Sequence, residues 1–380
     1  MLRVRTAALL LLASVAAAAG AQPAPAPAPA QPAPMPIPDV TVTADEARKT
    51  ALELAQSLQD GYAFPDVAAR YAAMLRANAA SGAYDGLTSG KAFAERLTAD
   101  LRAVSPDNHL RVRVAPPREA QAPGAAQAAP IRRMVPLIPI EEQRWLAPGI
   151  AYIRFNVFPG DAETVAAVRK FMADHADAKT IIFDNRTHHG GGLAEMDAMF
   201  PYLFAKPTTL VTMDTRASVD RARGSPMGDA KLRLVPVKAD VVRREHWVEP
   251  SPGEKRLFGA KVFVLTSGAT ASAAEHMTLA LKRPHRATIV GEPTAGAGNY
   301  GGQETLDGDR FLVFIPVGRT FDPDTGKGWE GSGIEPDVTV PAEKALAEAL
   351  VRSGLSQADA DRISAEVKPT GPMTRRTPRT

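Results

Sequence analysis

The spacing of apolar residues changes along the chain, and the changes mark its parts. From about residue 43 apolar positions fall mostly three or four apart, with Leu52, Leu54 and Leu58, then Val67, Tyr71, Met74 and Leu75. This predicts amphipathic helices, the first capped by Thr43 or Asp45. A third helix is expected over 90–104, "GKAFAERLTADLRAV", and "SPDNHLRVRVAPP" closes this helical part with a short alternating strand. Residues 115–130 lose the pattern to Ala, Pro, Gln and Gly, as a linker does. Strand-like runs then alternate with helical ones: 150–158, a helix over 161–176, 180–186, a helix over 193–205, and strands near 208–213, 261–266 and 286–290. Such alternation predicts an α/β core, a largely parallel sheet covered by helices. "ETLDGDRFLVFIPV" reads as a hairpin turning at Asp307-Gly308, and the amphipathic "AEKALAEALVR" ends the expected fold.

The two ends read differently. Residues 1–21 place Arg3 and Arg5 before an apolar, alanine-rich stretch closing on Ala19-Gly20-Ala21, the pattern of a cleaved export signal. A Pro-Ala spacer follows to residue 40. The expected divisions are a helical domain over 41–114, a connecting segment over 115–148, a core over 149–354, and a helix end with a basic, disordered tail over 355–380. The formal charge of +3 counts Arg3, Arg5 and four cations of "VKPTGPMTRRTPRT", so the body between is slightly acidic. That argues against a nucleic-acid partner. With no cysteine, neither disulfides nor thiol chemistry is available. No integral membrane segment is expected after signal cleavage, which leaves an exported chain, periplasmic or secreted.

Chemistry concentrates in two glycine-containing turns, each after a strand. "TSGATASAAEH" ends in a helix starting at Ser272, where free backbone N–H groups and the helix dipole favour negative charge. Ser272 with Glu275 three residues on is also a capping box, so a cap and a nucleophile both fit. "DNRTHHGGG" offers three glycines whose amides can converge on an oxyanion, though a plain tight turn fits too. A base for Ser272 could be His276, one helical turn on, or His188 or His189. Lys282 lies about 15 Å along the helix, out of reach. His175, His246 and His285 read as solvated surface residues. No second ligand pair stands at metal spacing, so neither metal nor other cofactor is expected.

In order along the chain, "DGYAFPDVAARY", "SGAYDGL", "VSPDNHLRV", "IAYIRFNVF", "IIFDNRTHHGG", "TASAAEHMTLALKRPHRATIVGEPTAGAG" and "WEGSGIEPDVTV" resemble the C-terminal-processing, or tail-specific, serine peptidases. The branch is that of the tricorn protease core and the interphotoreceptor retinoid-binding protein modules. The resemblance implies a crotonase/ClpP-like αββ-spiral core with a small N-terminal three-helix domain. It implies Ser272 as nucleophile and the amide of Ala273 with Gly190 or Gly191 as oxyanion hole. Relatives with a Ser-Lys pair carry a Gly-Lys-Gly motif, and here "TAGAG" puts Ala297 in the lysine's place. The tricorn-like branch uses a histidine, matched by His109, and a glutamate, resembled by Glu330. Asn108 stands where tricorn has a serine, and it too can donate and accept hydrogen bonds.

The reading that follows is an exported serine endopeptidase acting on a peptide or protein through a Ser-His-Glu arrangement. Base and nucleophile come from different domains, so domain closure would assemble the site. About 35 residues separate "RVRV" from "IAYI", too few for a PDZ module of ordinary domain size. Two other readings are a non-catalytic module binding an apolar ligand or peptide, and a scaffold anchored by the Pro-Ala arm. Oligomeric state is not legible.

Overall fold

The computed structural model describes residues 38–116, 138–227 and 231–374. The helical domain comprises α1 (Ala44–Gly61), α2 (Pro65–Ala80) and α3 (Gly90–Val104). Each starts on a local signal: a Thr43–Glu46 capping box, Pro65 in the first turn, and Ser89 accepting the Ala92 amide. Their apolar stripes, with Leu54, Leu58, Tyr71 and Leu97, bury against the strands that follow.

The core then runs β1 (Arg111–Val114), β2 (Ile140–Ala147), β3 (Ile150–Phe155), α4 (Ala162–Asp174), β4 (Thr180–Asp184), α5 (Ala194–Met199), β5 (Thr208–Arg216) and α6 (Ala217–Arg223). It continues with β6 (Leu232–Val235), β7 (Val241–Val248), β8 (Lys261–Thr266), α7 (Ala273–Lys282), β9 (Thr288–Gly291), β10 (Asn299–Leu306), β11 (Phe311–Phe321), β12 (Val338–Thr339), α8 (Ala345–Arg352) and α9 (Gln357–Glu366). One sheet, β1-β11-β5-β7-β6 with β10 on β11, is antiparallel and carries the helical domain. The other, β12-β9-β8-β4-β3-β2, is parallel except for β2. Helices α4, α5 and α7 cover one of its faces and α8 and α9 the other. Every residue of β3 and β4 is therefore buried, as their largely apolar runs foretell, and so are the charged Arg154 and Asp184. Among the described residues no helix is long and apolar enough to cross a membrane.

The α/β class and the helical N-terminal domain agree with the sequence reading. Several details differ. Only one sheet is parallel, and β6 and β7 were not anticipated. Residues 140–147 of the expected connecting segment form β2, an edge strand on β3. The helix expected over 193–205 is α5 with a 3-10 turn at Phe200–Tyr202. The fold does not end on α8: α9 follows, and beyond it Val367 is buried and Thr370 is hydrogen-bonded. The reason is a buried charge cluster. Arg154 and Arg186 both pair with the fully buried Asp184, at 3.1 and 2.7 Å. A buried guanidinium needs all its donors satisfied, and Arg154 donates onward to the Val367 carbonyl. Thr370 then donates its amide and hydroxyl to Glu141 at 2.9 and 2.7 Å. The expected signal and most of the spacer, residues 117–137 of the connecting segment, and the last six residues lie outside the described residues.

Candidate active site

The two glycine turns leave the C-terminal ends of neighbouring parallel strands, β4 and β8, where open α/β sheets place their sites. They are stitched together. The Ser267 hydroxyl donates to the Arg186 carbonyl at 2.6 Å, the Thr270 hydroxyl to the Asn185 carbonyl at 2.8 Å, and the Ala271 amide to the His188 carbonyl at 3.0 Å. Ser272 is held at φ 58, ψ −118. Thr43, Ser89, Asp161 and Ser356, which cap other helices, all have φ between −66 and −89. Ser272 therefore departs from an ordinary N-cap, and a non-glycine residue at positive φ costs about 1–3 kcal/mol. Gly190 faces it: a Cβ there would lie 2.7 Å from the Ser272 Cβ and 3.2 Å from its Oγ. Only glycine fits.

Glu275 supports the strained turn. Its buried carboxylate accepts the Ser272 amide at 2.8 Å, the Thr294 hydroxyl and Gly296 amide at 2.6 Å, and the Ala297 amide at 2.8 Å. Burial pushes its pKa up, against the pull of these four donors. Glu275→Ala would leave all four donors without this acceptor, and unsatisfied buried groups cost about 1–3 kcal/mol each. Partial rescue by water leaves an expected loss of about 3 kcal/mol in urea unfolding.

Loop 294–298, the "TAGAG" stretch, links this helix to the second half of the site. The Gly296 carbonyl accepts from Asn108 Nδ2 at 2.5 Å, and the amides of Gly298 and Asn299 donate to Glu330 Oε2 at 2.7 and 2.9 Å. Glu330 Oε1 accepts the Asn108 amide at 2.7 Å. Asn108, His109 and Glu330 are thus brought together, and Ala297 lies buried on the path to Ser272. The His109 ring stacks on Phe314 at 5.1 Å with its Nδ1 buried and unpartnered. Among the described residues no hydrogen bond joins His109 to Ser272.

Asp107, absent from the sequence reading, is the fourth member. Buried, it accepts the amides of His109 and Leu110 on Oδ1, at 2.9 and 3.1 Å, and Tyr62 Oη and Asn299 Nδ2 on Oδ2, both at 2.9 Å. Its spacing to His109 is that of an Asx turn, the one signal that could have found it. Burial, then the charge of Asp107, pushes Glu330 up to about 8. Burial also lowers the His109 pKa, while Asp107 opposes this. Ligand-type atoms of Asp107, His109 and Glu330 lie within 4.8 Å of one another. All four carboxylate oxygens already accept hydrogen bonds, so the cluster is spent on fixing the His109 turn rather than open to a cation.

The rival histidines are otherwise engaged. His276 Nε2 meets His246 Nδ1 at 2.8 Å, and His246 Nε2 meets Asp197 Oδ1 at 3.0 Å, a chain that bolts α7 to β7 and α5. His188 is fully buried with Nδ1 accepting the Gly190 amide at 3.1 Å. His189 donates its amide to the Asn156 carbonyl. Contrary to expectation His246 and His175 are buried, the latter between Trp145 and Phe171. The neighbours of His246, and Trp145 against His175, come from other elements, which local hydropathy does not register. His285 is exposed, as expected. Lys282 pairs with Asp337.

Residues 149–340 match peptidase family S41, and residues 39–147 match the N-terminal domain of peptidase S41 in eukaryotic IRBP. A solved protein of Parabacteroides merdae superposes with a TM-score of 0.53 at 15% identity, over 83% of this chain and 98% of that one. It shares the fold. The photosystem II D1 C-terminal processing protease gives a TM-score of 0.48 at 17% identity, over 78% of this chain and 94% of that one. The tricorn protease gives 0.34 at 15% identity, over 57% of this chain and 18% of that one.

Proposed function

Since this chain belongs to peptidase family S41 and is a serine peptidase, we propose that it is an exported endopeptidase of the tail-specific type working through Ser272, His109 and Glu330. The observation that carries the reading is Ser272 itself, held at positive φ at the start of α7 and pressed against Gly190. A residue kept in a costly conformation at a strand's C-terminal end is what an exposed nucleophile requires.

In this reading His109 takes the Ser272 Oγ proton as Oγ attacks the scissile carbonyl carbon. Glu330, braced by three amides, stabilises the imidazolium. The amides of Ala273 and of the glycine turn hold the tetrahedral oxyanion. Collapse expels the amine, which takes the proton from His109, and water repeats the sequence on the acyl-enzyme. His109 stands on the segment that leads from the helical domain into β1, and Ser272 on the parallel sheet. An approach of these two parts on substrate binding would bring imidazole and hydroxyl into bonding distance. Export rests on the N-terminal pattern, and the tail-specific class on the ordered motifs of the sequence.

The test is labelling of the purified protein with a fluorophosphonate, followed by peptide mapping, beside hydrolysis of matched peptides with a free or an amidated C-terminus. A covalent adduct on Ser272 and preference for the free terminus are expected. Absence of any adduct would turn the assignment toward a ligand-binding module, and indifference to the terminus would remove the tail-specific class alone.

A further inference from the structure

We infer that His188, which acyl transfer uses neither as acid nor as base, is the positioning residue that presets the glycine turn opposite Ser272. This rests on the peptidase reading for its effect on rate, and on geometry alone for the rest.

His188 holds both turns of the site at once. Its carbonyl accepts the amide of Ala271, the residue before Ser272, at 3.0 Å. Its ring Nδ1 accepts the amide of Gly190, the residue packed on Ser272, at 3.1 Å. An Nδ1 that accepts leaves the ring proton on Nε2, a buried atom, and the Asn156 backbone acts on the ring in the sense that favours keeping its proton. The ring is fixed edge-on against Phe158, centroids 4.2 Å apart at 81°. Burial, with His189 beside it, holds the pKa down to about 3, so the ring stays neutral and Nδ1 stays an acceptor at ordinary pH.

The consequence falls on the oxyanion donors. Gly190 and Gly191 have φ of 109 and 130, conformations open to glycine and few others. The Gly190 carbonyl and the Gly192 amide both bond Phe158, each at 2.8 Å. Residue 191 is thus the bridged position of a parallel pair, and its own N–H faces away from Phe158. With the Gly190 amide spent on the His188 ring, the amide left for an oxyanion is that of Gly191. Without an acceptor at 188, the buried Gly190 N–H must find another partner. Turning the 189–190 peptide to do so changes the backbone angles at Gly190 and re-aims the adjoining 190–191 peptide, whose N–H is the donor the reaction needs.

Asparagine presents its Oδ1 at the same two-bond distance from Cβ as histidine Nδ1. Leucine fills similar space without an acceptor. In His188→Asn a less than ten-fold fall in kcat is expected. In His188→Leu kcat is expected to fall about 10²–10³-fold, the scale of a lost oxyanion donor, with KM within about three-fold of wild type. Stability should run the other way, since leucine packs against Phe158 and asparagine leaves a void; a purely structural role would move rate and stability together. The activity-independent readout is hydrogen exchange at the Gly190 amide, slow in wild type and His188→Asn and fast in His188→Leu. Equal exchange in all three overturns the inference, as does wild-type kcat in His188→Leu. If His188→Leu does not fold, His188→Gln, whose amide sits one carbon too far, replaces it: protected exchange there overturns the inference and fast exchange supports it. A wild-type protein that fails to label at Ser272 sinks the peptidase reading instead, and the exchange result still decides the role of His188.

Discussion

Ser272→Ala abolishes fluorophosphonate labelling and lowers kcat by about 10⁴-fold or more, the scale of losing a serine peptidase's nucleophile. His109→Ala does nearly the same, and the double variant is scarcely worse than either, because the two act as a unit. His276→Ala keeps labelling, since its ring is bound to His246 rather than to the site. His109 works only when neutral, and burial lowers its pKa, so the acid limb of kcat/KM falls below pH 6.5. Labelling that survives His109→Ala and vanishes in His276→Ala would transfer the base to His276.

Acid unfolds the protein through its buried histidines. His188 and His276 are neutral in the fold, the first held down to about 3 and the second well below its ordinary value, in both by burial. In the unfolded chain both protonate near pH 6.5, so below that value the unfolded state binds more protons and stability falls as pH falls. Each contributes about 1.4 kcal/mol per pH unit. Two carboxyls act in the opposite sense. Glu330 and Glu275 have raised pKa values in the fold, so they lose stability as pH rises from 4.5 and offset much of the histidine effect between 4.5 and 6.5. Below 4.5 this opposition ends. The free energy of urea unfolding should therefore peak near pH 6.5, decline gently to 4.5, and then drop by about 3 kcal/mol per unit. Total stability is ordinarily about 5–15 kcal/mol, so unfolding is expected before pH 3. His188→Asn should make the lower slope shallower by about half. An unchanged slope would mean that His188 is protonated in the fold.

The strands around the site were legible because β3, β4 and β8 are covered on both faces and are mostly apolar. The helical domain was legible because each helix hides one stripe and starts on a local signal, a cap in α1 and α3 and Pro65 in α2. β7, "VVRREHWV", was not: its arginines are matched by acids from other elements, Arg243 by Asp214 and Arg244 by Asp220. A paired charge reads as a solvated one in sequence. α9 escaped for a similar reason, since it buries only Ala360 and Ile363, and Arg154 secures the segment beyond it. His246 was taken for a surface residue because its partners, His276 and Asp197, are 30 and 49 positions away.

Sequence alone determined the class of fold, the two glycine turns after strands, and Ser272 at the start of a helix. These depend on local periodicity, turn chemistry and ordered motifs, which a linear pattern carries. Tertiary structure decided that Ser272 sits at positive φ, that Asp107 joins Glu330 beneath the His109 turn, and that His188 takes the Gly190 amide. Each is a matter of where buried donors and acceptors meet across distant segments, and such pairing leaves no periodic trace in the chain.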